Sequence, residues 1–251
     1  MILIEVNAIR RSGHHAFINW LISNIHGVAY QENLCRYKFN TILGNKNILW
    51  VNEGEQDTNN VIDYISNNPK KDITIISYEV PVKKTIENPN YSILTDELRE
   101  KWDITEHIQI PFVRNFYNNF ASLTAGIFSY MFNVPNHPLY NNYQHLYHYQ
   151  LKRALTTFRG VIYDKWVRDE EYTNEVCLKL IGQPNKFSPL EIGGTPSSYG
   201  DGQLKLESLL TRYKKTKWPK WVIDEIKGDM ELSELISKAG FDKSDIEIQE
   251  S

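Results

Sequence analysis

Six consecutive residues, Arg10-Arg11-Ser12-Gly13-His14-His15, combine the groups that hold an oxyanion. The two guanidiniums supply fixed positive charge that forks onto phosphate or sulfate oxygens, Ser12 adds a hydroxyl, and Gly13 leaves the backbone open to close approach. Before them stands a short, mostly apolar, β-branched run, residues 2–6 (ILIEV). After them comes an apolar pattern at Ala16, Phe17, Trp20, Leu21 and Ile25. The apolar period changes from about two to about 3.6, which predicts a strand, a tight loop and an amphipathic helix. Unpaired N–H groups and the helix dipole favour an anion at such a helix start. The chemistry expected is therefore a phosphate or sulfate cradle. It is not a Walker A loop, because G-x-x-x-x-G-K-[ST] is absent and no lysine stands beside a magnesium-binding hydroxyl.

A second basic point is Arg114, which directly follows the apolar run 107–113 (HIQIPFV), with Ser122 further along. An arginine at the carboxyl end of a parallel strand lies on the usual ligand face of an α/β sheet. The serine lies about two helical turns on and returns to the same side if the first turns are loose or bent. Together the two residues can hold one phosphate. Two carboxylates also close strand-like runs: Glu53 after 47–52 (NILWVN) and Glu79 after 72–78 (DITIISY).

Arg11-Ser12-Gly13-His14-His15 resembles the 5′-phosphosulfate loop of PAPS-dependent sulfotransferases, which commonly runs [KR]-S-G-T-T. Arg114-Asn115 through Ser122 resembles that family's 3′-phosphate element, an arginine at a strand end with a serine eight residues on. The resemblance implies a P-loop-like α/β fold and transfer of a sulfuryl group from PAPS, without a required metal, to a hydroxyl or amine. A carbohydrate is the acceptor expected, and 3′,5′-ADP the nucleotide product. It also implies roles. Arg10, Arg11, Ser12, Gly13, His14 and His15 would hold the 5′ end, with Arg11 and His14 stabilising the leaving oxygen, and Arg114 and Ser122 would hold the 3′-phosphate. Glu79 stands where many cytosolic members carry the catalytic histidine, with Ser77 in place of their lysine, and Glu53 is the competing base. The stretch 192–202 (IGGTPSSYGDG) resembles the late loop over the 3′-phosphate and adenine, with Gly193, Gly194, Ser197 and Ser198 in place of the usual R-K-G. Ala16 occupies the place of the tryptophan that often stacks on adenine; Trp20, Tyr163 and Trp166 are the substitutes. Two other functions remain open, a Mg-ATP-dependent phosphotransferase and a non-catalytic nucleotide-binding module of the same fold.

The elements that must position these residues alternate. Strands are expected at 2–6, 47–52, 72–78, 107–113 and 160–163. Helices are expected at 14–25, 61–66, 96–102 behind a Thr95 cap, 115–132, 139–158 and 169–181. This order predicts a mostly parallel sheet of about five strands flanked by helices. Residues 30–45 read as polar and irregular, and Pro111 argues against a central place for its strand. One domain spanning 1–251 is expected, with a helical tail over 204–251. Lys and Arg number 28 against 31 Asp and Glu, a net charge of −3, so nothing draws the whole chain to nucleic acid or to a membrane surface. Cys35 and Cys177 form no metal-ligand spacing, no leader-like segment opens the chain, and no apolar run approaches a membrane span, so a cytoplasmic protein is expected.

Overall fold

A computed structural model describes residues 1–9, 12–30, 39–42, 46–53, 58–67, 71–80, 92–124, 138–192, 210–216 and 218–241. The strands are β1 (Ile2–Ile9), β2 (Phe39–Ile42), β3 (Ile48–Glu53), β4 (Ile73–Val80), β5 (Glu106–Val113) and β6 (Val161–Ile162). The helices are α1 (His14–His26), α2 (Thr58–Asn67), α3 (Asp96–Lys101), α4 (Phe116–Thr124), α5 (Pro138–Thr156), α6 (Tyr163–Arg168), α7 (Glu170–Ile181), α8 (Pro189–Ile192), α9 (Lys220–Gly228) and α10 (Met230–Lys238). The strands form one sheet in the order β2-β3-β4-β1-β5-β6. Every pairing is parallel except β2 with β3. The five expected strands thus form the parallel core of an α/β fold. The antiparallel edge strand β2 corrects the irregular reading of 30–45, whose polar flanks conceal it.

Pro111 sits within β5, between β1 and the two-residue β6, whose pairing begins only at Phe112. The proline therefore falls beside the point where the ladder on that side starts, and its missing N–H is tolerated. Helix starts and stops follow the local chemistry. Thr95 accepts the Leu98 N–H ahead of α3, Asp169 the Tyr172 N–H ahead of α7, and Asp229 the Leu232 N–H ahead of α10. α1 ends at Gly27 in the left-handed conformation (φ 74°), whose N–H bonds the Ser23 carbonyl at 2.7 Å.

Each face of the sheet carries its own apolar layer. Ile4, Val6, Ala8, Ile110 and Phe112 pack with Phe17, Trp20 and Leu21 of α1 and with Trp166 of α6. Leu3, Ile9, Val51 and Val113 pack on the other side with α4, α5, α9 and α10, through residues such as Phe116, Phe120, Tyr147, Val222 and Leu232. α9 and α10 are therefore walls of the second layer.

One strand residue breaks the apolar pattern. Glu5, in mid-β1, is fully buried and accepts four hydrogen bonds. Ser92 Oγ (2.8 Å) and the Tyr78 hydroxyl bind Oε1, while His107 Nε2 (2.6 Å) and Gln109 Nε2 (3.2 Å) bind Oε2. Burial alone would raise its pKa. The bonds from His107, Tyr78 and Ser92 outweigh that and hold it below the ordinary carboxylate range. Through this one carboxylate β1, β4, β5 and the approach to α3 are tied together.

Glu5→Gln should cost roughly 2–4 kcal/mol of stability at pH 7, because an amide cannot accept from four donors. A carboxylate whose folded pKa lies below its unfolded value of about 4.3 contributes fully above that value and loses the contribution as pH falls through the folded pKa. Urea melts of the two proteins should therefore converge below pH about 4; a gap that stays constant from pH 7 to pH 3 would contradict the assignment.

Candidate functional site

β1 and β5 are neighbours in parallel register, Ala8 opposite Phe112, so their carboxyl ends open side by side. The chain leaves β1 toward α1, on one face, and leaves β5 toward α4, on the other. Adjacent strand ends whose connections part to opposite faces form a crevice, the usual ligand position in a parallel sheet. Ser12 and Gly13 stand at one lip and Arg114 at the other.

Gly13 takes φ 88°, ψ 14° and caps α1, which has no side-chain cap hydrogen bond and no acidic residue in its first turn. Its α-hydrogens face an aromatic ring: a Cβ here would lie 2.7 Å from Tyr163 Cε2. The Arg114 guanidinium lies 4.9 Å from the centroid of that same ring. A single side chain from the start of α6 thus touches the loop after β1 and the arginine after β5. The position of Tyr163 follows from the sheet, since Ile162 pairs with Val113 and the next residues on both strands emerge together.

Arg114 is 3 % exposed. Its carbonyl accepts the Tyr147 hydroxyl at 2.6 Å. Asn115 Oδ1 accepts the N–H groups of Tyr117 (2.9 Å) and Asn118 (3.3 Å), which starts α4, while the Asn115 N–H donates to Asp164 Oδ2 at 2.7 Å. Burial raises the pKa of Asp164, against the opposing charges of Arg114 and Arg168 and the bond from Asn115. α4 is helical from Phe116 without a loosened first turn, and Ser122 is buried two turns along it. Arg114 must therefore supply the reach if the two are to share one oxyanion. Its buried neighbours are anchored: Asn118 Nδ2 donates to the Leu210 carbonyl (2.5 Å) and Asn119 Oδ1 accepts the Tyr143 hydroxyl (2.7 Å).

At the other lip, Ser12 is fully buried and His14 nearly so. Ser12 Oγ and His14 Nδ1 are 3.4 Å apart. The His14 ring meets that of His15 edge-on at 4.3 Å, and His15 meets Trp50 at 5.6 Å. Burial, with the neighbouring His15, holds the pKa of His14 well below the ordinary imidazole range, so this ring is neutral near pH 7 and contributes at most one N–H. Ser77, at the place the resemblance gives to a lysine, is fully buried and accepts the Trp50 indole N–H at 3.1 Å. It packs the sheet and carries no charge.

Glu79 and Glu53 are placed by backbone register. Glu79 lies opposite Ala8, on the strand next to β1, whereas Glu53 lies opposite Tyr78, one strand further out. Arg10, Arg11, Gly193, Gly194, Ser197 and Ser198 lie outside the described residues. Of the three rings expected to take over adenine stacking, Trp20 and Trp166 are core, while Tyr163 lies between Gly13 and Arg114. Trp20 and Trp166 are fully buried, and Trp20 donates its indole N–H to Asn185 Oδ1 and the Phe187 carbonyl. For those two tryptophans the expectation is corrected, since sequence pattern cannot tell a stacking ring from a packing one. Conversely, the sequence reading passed over Glu5 and Asp164. The signal for Asp164 was its place, a carboxylate directly after the strand-like run 160–163, at the end of the sheet where ligands bind.

Among the described residues no group of three or more His, Cys, Asp or Glu could hold a metal ion, and no helix is long and apolar enough to cross a membrane. Cys177 is a buried free thiol whose pKa burial pushes up to about 11. No family model, curated protein or solved structure matches the chain.

Gly13→Ala should lower stability by roughly 2–4 kcal/mol, part from the left-handed backbone and part from the ring behind it. In a Tyr163→Leu background the steric part should vanish and about 1–2 kcal/mol remain. Equal costs in both backgrounds, measured by thermal or urea melts, would show that the contact plays no part.

Proposed function

We propose that this protein is a sulfotransferase that takes its sulfuryl group from PAPS and passes it to a hydroxyl or amine, with a carbohydrate as the favoured acceptor class. The observation that carries the reading is the contact of one ring, Tyr163, with both Gly13 and Arg114. The two anion elements named by the resemblance thus face one crevice, close enough for a single adenosine with phosphates at both ends. In this reading Arg10, Arg11, Ser12, Gly13, His14 and His15 hold the 5′-phosphosulfate, and Arg114 and Ser122 hold the 3′-phosphate. Gly193, Gly194, Ser197 and Ser198 add backbone N–H groups and hydroxyls around the latter.

The transfer is an in-line displacement. The acceptor oxygen or nitrogen bonds to sulfur as the bond from sulfur to the bridging oxygen breaks, and negative charge gathers on that oxygen of the departing 3′,5′-ADP. In this reading Arg11, the amides of residues 13 and 14 and a neutral His14 N–H stabilise that charge, the Ser12 N–H being bonded to the Ile9 carbonyl; losing one such donor costs about 2.7–4 kcal/mol in comparable sites. Glu79 receives the acceptor proton, a contribution of roughly a hundred- to ten-thousandfold. Its strand adjoins β1, which favours it over Glu53, one strand further away. The scheme calls for no metal. The substitution of Glu79 for the family's histidine also fits a second reading, a module of this fold that binds the nucleotide without turnover.

Arg114→Ala should weaken 3′,5′-ADP about tenfold or more, the size expected for one charge-assisted contact, and leave AMP nearly unchanged, since only the former carries a 3′-phosphate. Equal losses for the two nucleotides in calorimetry would remove Arg114 from this role. Glu79→Gln should abolish most sulfate transfer to an acceptor panel while retaining 3′,5′-ADP affinity, with Glu53→Gln near wild type. The opposite ranking would move the base to Glu53, and absence of transfer by the wild-type protein across the panel would favour the binding module.

A further inference from the structure

We propose that Tyr147 and Asp164 are positioning residues for the anion site: they clamp the two polar groups of one peptide unit, between Arg114 and Asn115, and so set the reach between the Arg114 side chain and Ser122. The inference rests on the reading of Arg114 and Ser122 as the 3′-phosphate element.

β5 ends at Val113 and α4 starts at Phe116, so the chain leaves the sheet through two residues that belong to neither element. A peptide unit is planar, and the direction of α4 relative to β5 is set by the torsions on either side of such planes. The unit joining Arg114 to Asn115 is held at both of its polar groups by side chains. Its carbonyl accepts the Tyr147 hydroxyl at 2.6 Å, and its N–H donates to Asp164 Oδ2 at 2.7 Å. Tyr147 comes from α5 and Asp164 from α6, so two elements outside the connection fix the plane. Both side chains are buried.

Each clamp is itself fixed. The Tyr147 ring meets that of Phe116, the first residue of α4, edge-on at 4.9 Å, and one turn earlier on α5 the Tyr143 hydroxyl donates to Asn119 Oδ1 at 2.7 Å. Asp164 is placed by the pairing of Ile162 with Val113, and Tyr163 beside it faces the Arg114 guanidinium at 4.9 Å. α4 has its own start signal in Asn115, whose Oδ1 accepts the N–H groups of Tyr117 and Asn118 and whose carbonyl accepts the Asn119 N–H at 2.9 Å. What the clamps add is orientation. Arg114 stands on the strand side of the clamped unit and Ser122 on the helix side, so rotating that unit changes the distance between them. A site that grips one oxyanion from both sides loses affinity when this reach varies, since binding must then order it.

Calorimetry with 3′,5′-ADP and with AMP reads the role. Tyr147→Phe keeps the ring against Phe116 and drops the hydroxyl; Asp164→Ala drops the acceptor. Each should weaken 3′,5′-ADP about three- to tenfold, the range of one hydrogen bond, and shift AMP by less than about twofold. Asp164→Asn, which keeps an acceptor oxygen, should recover most of what Asp164→Ala loses. In an Arg114→Ala background Tyr147→Phe should cost less than about twofold, because the clamp acts through the placing of Arg114. In the wild-type protein, hydrogen exchange followed by NMR should find the Asn115 amide protected before any nucleotide is added. Unchanged 3′,5′-ADP affinity in Tyr147→Phe and Asp164→Ala, or equal losses for the two nucleotides, would overturn the proposal. So would an undiminished loss in the Arg114→Ala background, Asp164→Asn as weak as Asp164→Ala, or an unprotected Asn115 amide. In all these cases the PAPS reading stands as long as Arg114→Ala alone still distinguishes the two nucleotides. Failure of the wild-type protein to bind 3′,5′-ADP would overturn that reading and this inference with it.

Discussion

The pairing of β1 with β5 runs in register from Ile2 opposite Glu106 to Ala8 opposite Phe112. Because the two strands are parallel and adjacent, whatever follows each of them emerges at the same end of the sheet. Because α1 packs on one face and α4 on the other, the chain parts there, the usual position of a ligand in a parallel sheet. The adjacent strand ends, with Gly13 after one and Arg114 after the other, and the helix starts around them are consequences of that one constraint. β6 extends it: two residues of pairing are enough to set Tyr163 between Gly13 and Arg114 and Asp164 against the start of α4.

Buried polar groups hold these strands in place at the cost of desolvation. Glu5 draws donors from β4, β5 and the residues leading into α3, which fixes the strands relative to one another a few residues before they reach the crevice. A carboxylate so enclosed is stable only while all its partners are present, and it disfavours any other arrangement of the same strands. Tyr147 and Tyr143 do the corresponding work for α4, one bonding the Arg114 carbonyl and the other Asn119. Burial pushes both phenols well above their ordinary range, so they remain neutral donors.

Much of this was legible in the sequence because it is written in short-range patterns. β-branched runs followed by helical periodicity gave the five parallel strands and the order of the helices. Thr95 and Asp169 marked helix starts by the type of oxygen they offer. The Ser-Gly turn and the strand-end arginine announced the two lips separately. Other features depend on which elements meet, and no local pattern encodes that. Glu5 sits in an apolar run and gives no sign that His107, more than a hundred residues on, will bond it. Residues 39–42 form a strand only because β3 offers an edge. Trp20 and Trp166, aromatic and near the site in sequence, are spent on packing against Phe17 and each other. Tyr163 shows its place only once the pairing of β5 with β6 is known.

The central claim is that a single doubly phosphorylated adenosine spans the crevice between the ends of β1 and β5. A crystal structure of the protein soaked with 3′,5′-ADP tests it most directly. The account predicts one nucleotide with its 5′-phosphate on the amides of residues 13 and 14 and its 3′-phosphate against Arg114, with Tyr163 between the two ends. A nucleotide seated elsewhere, or one that reaches the Gly13 turn without touching Arg114, would contradict it.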